Sequence, residues 1–408
     1  MNINTKIALV TPSLTYLGGV PTVVDFVYKT LQGVGRYKIG VISIPTAAND
    51  ETSMRLLAPR TWLHGPQTQQ RRWAGRDYVH VGTVFTEFEF QRYRPRRVLT
   101  ELLNQYDLIQ VVAGTPAWAA VASEVEPPVC LFAATTIAQD RRSRLQRTVG
   151  WRKAWLTWMT RLNEHAERKT LQWVNCTFAE SDYTQQLLAP YVAPDRLRLG
   201  PPGVDADFFI PNIPYHARGH ILVVGRLSDP RKNARLLLTA YHQLRQQLAS
   251  APKLALVGHS GLSLADQAYA AALGLTEHIE TYIDVSVEQL RALYQQAALF
   301  VLSSDEEGLG IVILEAMACG LPVISTDCGG PATAIQLGIT GLLTPVGDHE
   351  ALAQAMQELL LDPERRRRMG QAGRAVIEQR FSLEAAGKVY LDVYDELLAR
   401  RDTSRRSD

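Results

Sequence analysis

The chain has 408 residues, with 43 Lys and Arg against 41 Asp and Glu, a formal net charge of +2 at pH 7, and 46% hydrophobic residues. That length accommodates two or three domains, and the composition is that of a globular protein. So small a net charge argues against a phosphate-backbone binder, and no nucleic-acid motif is present. Cys130, Cys176, Cys319 and Cys328 lie far apart with no CxxC, which argues against a disulfide framework or a structural zinc site and for a reducing compartment.

No apolar run reaches the ~18 residues of a membrane span, and no long apolar stretch follows the start MNINTKIALVTPS. A cytoplasmic location without a secretory signal is the expectation. KIALVTPS (6–13) predicts a strand, Leu17-Gly18-Gly19 a turn, Val20 to Leu31 a helix and YKIGVISI (37–44) a second strand. This β-α-β order implies a parallel sheet. Segment 45–106 is polar and irregular, with only short elements expected. Further strands are predicted at 107–112, 128–133 and 174–179, with helices between.

GPPGVDADFFIPNIPYHARG (200–219) is dense in Pro and Gly and reads as a linker. A second α/β series follows. It has strands at 220–225, 254–258, 278–283, 299–303 and 322–327, and helices from about 230, near 286–297 and over IVILEAMA (311–318). The chain ends in helical patterns over roughly 348–379 and 383–400. Residues 1–200 carry 24 Lys and Arg against 16 Asp and Glu, so +8; the remainder carries −6. All seven tryptophans fall in the first half. Two doubly wound α/β domains of different character are expected, with ligands beyond the carboxyl ends of their strands.

Five stretches could carry chemistry. Gly18-Gly19 between a strand and a helix either lets backbone amides approach an anion or makes a tight turn. In VVGRLSDPRKN (223–233), Asp229 is a plausible N-cap and Pro230 a first helical residue. Arg226, Arg231 and Lys232 then crowd a helix start, where the macrodipole disfavours cations unless an anion such as a diphosphate is bound. The alternative is a solvated basic turn. In SSDEEGLGIVILEAMACG (303–320), Glu307 precedes a helix and Glu315 lies inside it. Eight residues span up to about 12 Å in a helix, wider than the roughly 5–9.5 Å of a hydrolytic carboxylate pair. The two carboxylates therefore read as separate acceptors for hydroxyls of one elongated ligand, or else Glu307 caps the helix and Glu315 meets a base.

Asp205-Ala206-Asp207 has the form of a DxD metal motif but no third ligand nearby in sequence. The stretch 141–169 is basic and tryptophan-rich, and Trp151, Trp155, Trp158 and Leu162 share one helix face. Such a stripe either packs into the first domain or lies on an anionic membrane surface.

Taken together, LGGV (17–20), ESDYTQQLL (180–188), PPGVDADFF (201–209), VVGRLSDPRKN (223–233), LVGHS (256–260) and the block 303–335 with its paired glutamates resemble the retaining family-4 glycosyltransferases, the glycosyl transferases group 1. The resemblance implies the GT-B fold, two Rossmann-like domains facing across a cleft. The first would be 1–200 plus about 383–408, whose terminal helix crosses back, and the donor-binding domain 220–382. It implies a hexosyltransferase of glycan or glycolipid biosynthesis that uses a UDP-, GDP- or ADP-sugar and retains the anomeric configuration. The acceptor would be a glycan, lipid or small molecule, read by loops 45–106 and 135–160.

By the same resemblance, Arg226 and Lys232 hold the donor diphosphate, and the amides at Gly18 and Gly19 approach it. Glu307, Gly308, Leu309, Gly310 and Ile311 contact the sugar and phosphate, and Glu315 accepts the ribose hydroxyls. The base lies near Ile283 and Asp284, Asp205 belongs to the family's GVD signature, and no metal or other cofactor is expected. One departure stands out. The family often carries a histidine facing the donor sugar, and the corresponding places here are Gln110, Val112 and Ala134. A sugar-nucleotide-binding protein that has lost transfer activity is the alternative.

Overall fold

The computed structural model describes residues 5–12, 14, 18–212 and 219–407. Met1–Pro202 with Ala386–Asp408 form one compact unit, and Gly203–Ala385 form a second. Ser13 and Leu17 of the predicted strand and turn, and 213–218 of the linker, lie outside the described residues.

The first unit opens with β1 (Thr5–Pro12), α1 (Gly19–Val34), β2 (Tyr37–Ile44), β3 (Thr68–Trp73), β4 (Arg76–Val81), α2 (Glu89–Arg92) and α3 (Arg97–Leu103). It continues with β5 (Leu108–Ala113), β6 (Val129–Ala133), α4 (Ile137–Arg147), α5 (Gly150–Trp173), β7 (Cys176–Ala179), α6 (Asp182–Leu188) and β8 (Leu197–Leu199). The sheet order is β3-β4-β2-β1-β5-β6-β7-β8. Its central strands are parallel and covered on both faces, so β5 and β6 are buried along their whole length, as continuous apolar runs in parallel sheets are.

The segment read as irregular contains the hairpin β3–β4, paired antiparallel up to Trp73 and Arg76. Its turn residues Ala74 and Gly75 have φ of 47° and 77°. Both being positive marks the tight turn type that matches strand twist. The polar TQQRRW of β3 lies at the sheet edge, where no apolar alternation is required.

The second unit runs β9 (His220–Val224), α7 (Ala234–Gln247), β10 (Leu254–Gly258), α8 (Leu264–Ala272), β11 (Ile279–Ile283), α9 (Val287–Gln296) and β12 (Ala297–Leu302). Then come α10 (Ile311–Ala318), β13 (Val323–Thr326), β14 (Gly341–Thr344), α11 (His349–Leu361), α12 (Pro363–Val376) and α13 (Leu383–Ser407), the last of which continues into the first unit. Its parallel sheet has the order β11-β10-β9-β12-β13-β14. Strand alternation divides its core: Leu222 and Val224 pack on one face, Ile221 and Val223 on the other. Val204 and Phe209, read as linker, belong to this unit; Val204 N–H donates to Phe381 O at 2.8 Å, and Phe209 meets Tyr294 edge to face.

Two helix boundaries differ from expectation. The 348–379 pattern divides at Asp362, which caps α12 by accepting from Arg365 N–H at 2.8 Å, with Pro363 in the first turn. The helix expected from about 230 begins at Ala234. Asp229 accepts from Arg231 N–H but caps only one 3-10 turn, Pro230–Lys232. Asn233, at φ 45°, caps α7 through Leu236 N–H. Asn tolerates that left-handed geometry because its short side chain bonds locally.

Candidate active site

In the second sheet the order of strands by appearance is three-two-one-four-five-six, so β9 and β12 are neighbours although their connections leave in opposite directions. Such a switch point opens a crevice at the strands' carboxyl ends. The loops leaving β9 and β12 carry the basic stretch 226–232 and the acidic stretch 303–310.

These loops are joined by several bonds. Asp305 N–H donates to Arg231 O at 2.7 Å, Ser303 Oγ–H to Lys232 O at 2.9 Å, and Asn233 Nδ2 to Asp305 Oδ1 at 2.7 Å. Lys232 Nζ donates to Glu307 Oε1 across 75 residues of sequence, and Ser304 Oγ–H donates to the same oxygen at 2.7 Å. Lys232 and Glu307 keep 17% and 14% of their side-chain surface exposed, so this ion pair is sheltered yet reachable. Arg226 reaches outward from the same rim with 54% exposed, 3.3 Å from Asp229. Burial raises the Asp229 carboxyl pKa, but the hydrogen bonds from Arg231 and the charges of Arg231 and Arg226 outweigh it and hold it below the ordinary range.

The second loop is fixed from beneath. Gly310, at φ 82°, is the N-cap of α10 and needs the left-handed region open to glycine. Leu309 is fully buried, and its side chain anchors the loop in the core. Gly330 N–H donates to Glu307 O at 3.2 Å. A Cβ added at Gly330 would stand 2.1 Å from Gly308 O and 2.6 Å from Leu309 N. Gly330→Ala must displace this loop, at a cost of about 1–3 kcal/mol. The expected result is a lower Tm in calorimetry together with loss of stabilisation by nucleotide diphosphates.

Among the described residues, Glu307 does not cap α10 and Glu315 meets no base. Glu315 Oε2 accepts from the buried Tyr294 hydroxyl at 2.7 Å, and burial pushes its carboxyl up to about 7 against the opposing pull of that bond. Ile283 ends β11 and Asp284 follows it, on the same carboxyl edge, 46% and 67% exposed. Asp284 sits at φ 50°, a strained conformation for a non-glycine residue. Its Oδ1 is 2.6 Å from His259 Nδ1, and Ser260 Oγ is 2.7 Å from Ser228 Oγ. Ser228, His259 and Ser260 thus join this rim; their signals in sequence were VVGRLSDPRKN for Ser228 and LVGHS for the other two.

In the first unit, Gly18 and Gly19 begin α1 with the Gly18 backbone extended at φ 169°. A Cβ at either would meet nothing within 4 Å among the described residues. Neither turn geometry nor internal packing therefore requires glycine there. Of the three places for the absent histidine, two are closed. Val112 is core, and Gln110 is buried, donating to Val111 O at 2.9 Å and accepting from Tyr394 Oη–H at 2.7 Å. Ala134, at the end of β6, keeps some exposure.

His80 also has a structural task. Buried between Ser43 Oγ at 2.6 Å and Asp50 Oδ1 at 3.0 Å, it ties the 45–53 segment to β4 in a serine–histidine–aspartate chain that no substrate reaches. Asp205 turns the backbone, accepting from Phe208 N–H at 3.0 Å. Among the described residues no group of three His, Cys, Asp or Glu is placed to hold a metal ion. A cavity of about 740 Å³ lies in the first unit between residues 87–92 and 144–159, with Phe88, Trp151 and Trp155 facing Glu87, Glu89 and Arg92; it holds none of the predicted site residues.

Residues 208–376 match the family model described as Glycosyl transferases group 1. The chain is 36% identical over 211 residues to a GDP-mannose-dependent alpha-(1-6)-phosphatidylinositol monomannoside mannosyltransferase of Mycolicibacterium smegmatis, covering 48% of this chain and 55% of that protein. It is 31% identical over 221 residues to a D-inositol 3-phosphate glycosyltransferase of Xylanimonas cellulosilytica, covering 51% and 53%. The matched stretch thus spans about half the length of these relatives. Among solved structures, sucrose-phosphate synthase from Thermosynechococcus elongatus aligns with a TM-score of 0.74 at 21% identity over 97% of this chain and all of that one. Anabaena HepE in complex with UDP-glucose aligns at 0.67 and 16%, over 96% and 99%. These likenesses show the fold, that of the GT-B glycosyltransferases.

Proposed function

We propose, from the match of residues 208–376 to the glycosyl transferases group 1 model, that the chain moves a hexosyl group from a nucleotide-diphosphate sugar to an acceptor hydroxyl with retention of anomeric configuration. The observation that carries this reading is the Lys232–Glu307 pair at the switch point, beside the exposed Arg226. The donor's diphosphate takes Lys232 Nζ and the Arg226 guanidinium, which releases Glu307 to accept hydrogen bonds from the sugar. Glu315 Oε1, opposite the oxygen held by Tyr294, accepts from the ribose, and Ile283 with Asp284 borders the base.

Reaction on one face breaks the bond from the anomeric carbon to the diphosphate oxygen and forms the bond to the acceptor oxygen. The acceptor's proton passes to the departing diphosphate. The chain's main contribution is to stabilise charge building on that leaving group through Lys232, Arg226 and the amides of 308–311, with no metal called on. Gly18 and Gly19, free of internal constraint, leave room for a ligand against the start of α1. The acceptor is assigned to the first-unit cavity, which is lined from both loops expected to read it.

The test is nucleotide release from a panel of UDP-, GDP- and ADP-sugars supplied with glycan, lipid and small-molecule acceptors. Release from at least one donor is expected. Thermal stabilisation by UDP or GDP with no release from any donor would instead favour the transfer-inactive reading, for which Ala134 in place of a histidine speaks.

A further inference from the structure

Helix α5 exposes large apolar side chains on a face that a water-facing helix would keep polar. Its buried residues are Met159 and Leu171 together with the polar Thr160, Asn163, Glu167 and Thr170. Thr160 Oγ accepts from Arg141 at 3.2 Å and Glu167 Oε2 from Ile137 N–H at 3.0 Å. Its outward face carries Trp151, Trp155, Trp158 and Leu162, exposed by 76%, 52%, 50% and 39%. Val149, just before the helix, is 79% exposed, and the Trp155 and Trp158 rings lie 5.2 Å apart. The stripe is therefore not core.

Cations flank it. Arg142, Arg144, Arg152, Lys153 and Arg161 are exposed and form no ion pair among the described residues. Residues 141–169 hold nine Arg and Lys against two Glu. Tryptophan rings at the level of the headgroups, with guanidinium and ammonium groups beside them, are the chemistry of interfacial binding. No helix of the described residues is long and apolar enough to cross a membrane. A symmetric contact with a second copy would set these cations against each other.

We infer that the outward face of α5, with the end of α4, docks the protein on an anionic lipid bilayer. The inference does not depend on sugar transfer. The test is sedimentation of the full chain with vesicles of phosphatidylcholine, with and without phosphatidylglycerol, at low and high salt, and with tryptophan emission recorded. Binding is expected on the anionic vesicles only, with a blue shift, and is lost at high salt. Lys153→Glu with Arg161→Glu, neither of which lines the first-unit cavity, should weaken partitioning at least about fivefold for each cation removed. Trp158→Ser with Leu162→Ser, also outside that cavity, should weaken it roughly tenfold. Both double variants should keep the wild-type Tm and the nucleotide-induced thermal shift. Three results overturn the proposal: no binding to anionic vesicles, binding that neither double variant weakens, or a stripe that joins two copies or captures an acidic protein while vesicles stay unbound.

Discussion

Lys232→Ala is expected to lower kcat/KM about a thousandfold, a loss of roughly 4 kcal/mol in the barrier, through weaker binding of the diphosphate and of the transition state alike. Glu307→Gln should act differently. It keeps an acceptor for Ser304 Oγ–H but releases Lys232 from its ion pair. Nucleoside diphosphate without sugar should then bind as well as before or more tightly, while turnover falls. The measurements are nucleotide affinity by calorimetry and turnover by nucleotide release. If both variants turn over donor at the wild-type rate, the site is elsewhere. If Glu307→Gln weakens free nucleotide as much as Lys232→Ala does, the partner exchange is wrong. Lys232→Arg would not restore function. The lysine stem runs 3.4 Å from where a Cβ on Gly225 would stand, and a planar guanidinium does not replace a point charge there.

Glu315 should make nucleotide binding depend on pH. Its carboxyl is raised from the ordinary 4.5 to about 7. The folded state therefore prefers the protonated form. The stability this group contributes is complete below about 4.5 and is lost as pH rises through about 7. Ribose hydroxyls donate best to the ionised form, so affinity should run the other way, rising up to about tenfold between pH 6 and pH 8. Glu315→Gln keeps an oxygen for the Tyr294 hydroxyl and removes the titration. Its affinity should be flat across that range and low. At pH 8 its fold should be more stable by at most about 3 kcal/mol, and by less to the extent that solvent screens the wild-type carboxylate. A wild-type affinity that does not change with pH would remove Glu315 from the ribose.

The second unit was the more legible part of the chain. Its strands stand within a residue or two of the runs HILVVG, LALVG and PVISTD because parallel strands buried on both faces must be continuously apolar. β14 escaped notice; GLLT is four residues, two of them partly exposed. The β3–β4 hairpin escaped because its pairing is with the edge of the sheet, where polar residues are tolerated. At the site, residue types could be read from sequence, but contacts could not. Lys232 and Glu307 meet only because β9 and β12 are neighbours, a fact of strand order that no local pattern records. Burial reassigned others. Leu309 became an anchor, Gln110 a partner of Tyr394, and the tryptophan stripe an outward face.

Helix α13 has a consequence for how the chain is made. The first unit takes its last segment from Ala386–Asp408, after the whole second unit has been translated. Tyr390 stacks on Phe178 at 4.2 Å and donates to Gly200 O at 2.6 Å, and Tyr394 supplies the partner of Gln110. Until Tyr390 and Tyr394 have left the ribosome, the first unit has a gap where two tyrosines belong and a buried amide without its hydroxyl. The order of synthesis is thus reversed in folding: the unit begun first is finished last, and the one between can be complete before it. Nascent chains halted short of Tyr390 would leave that surface open to chaperones, and truncation ahead of Tyr390 should destabilise the first unit.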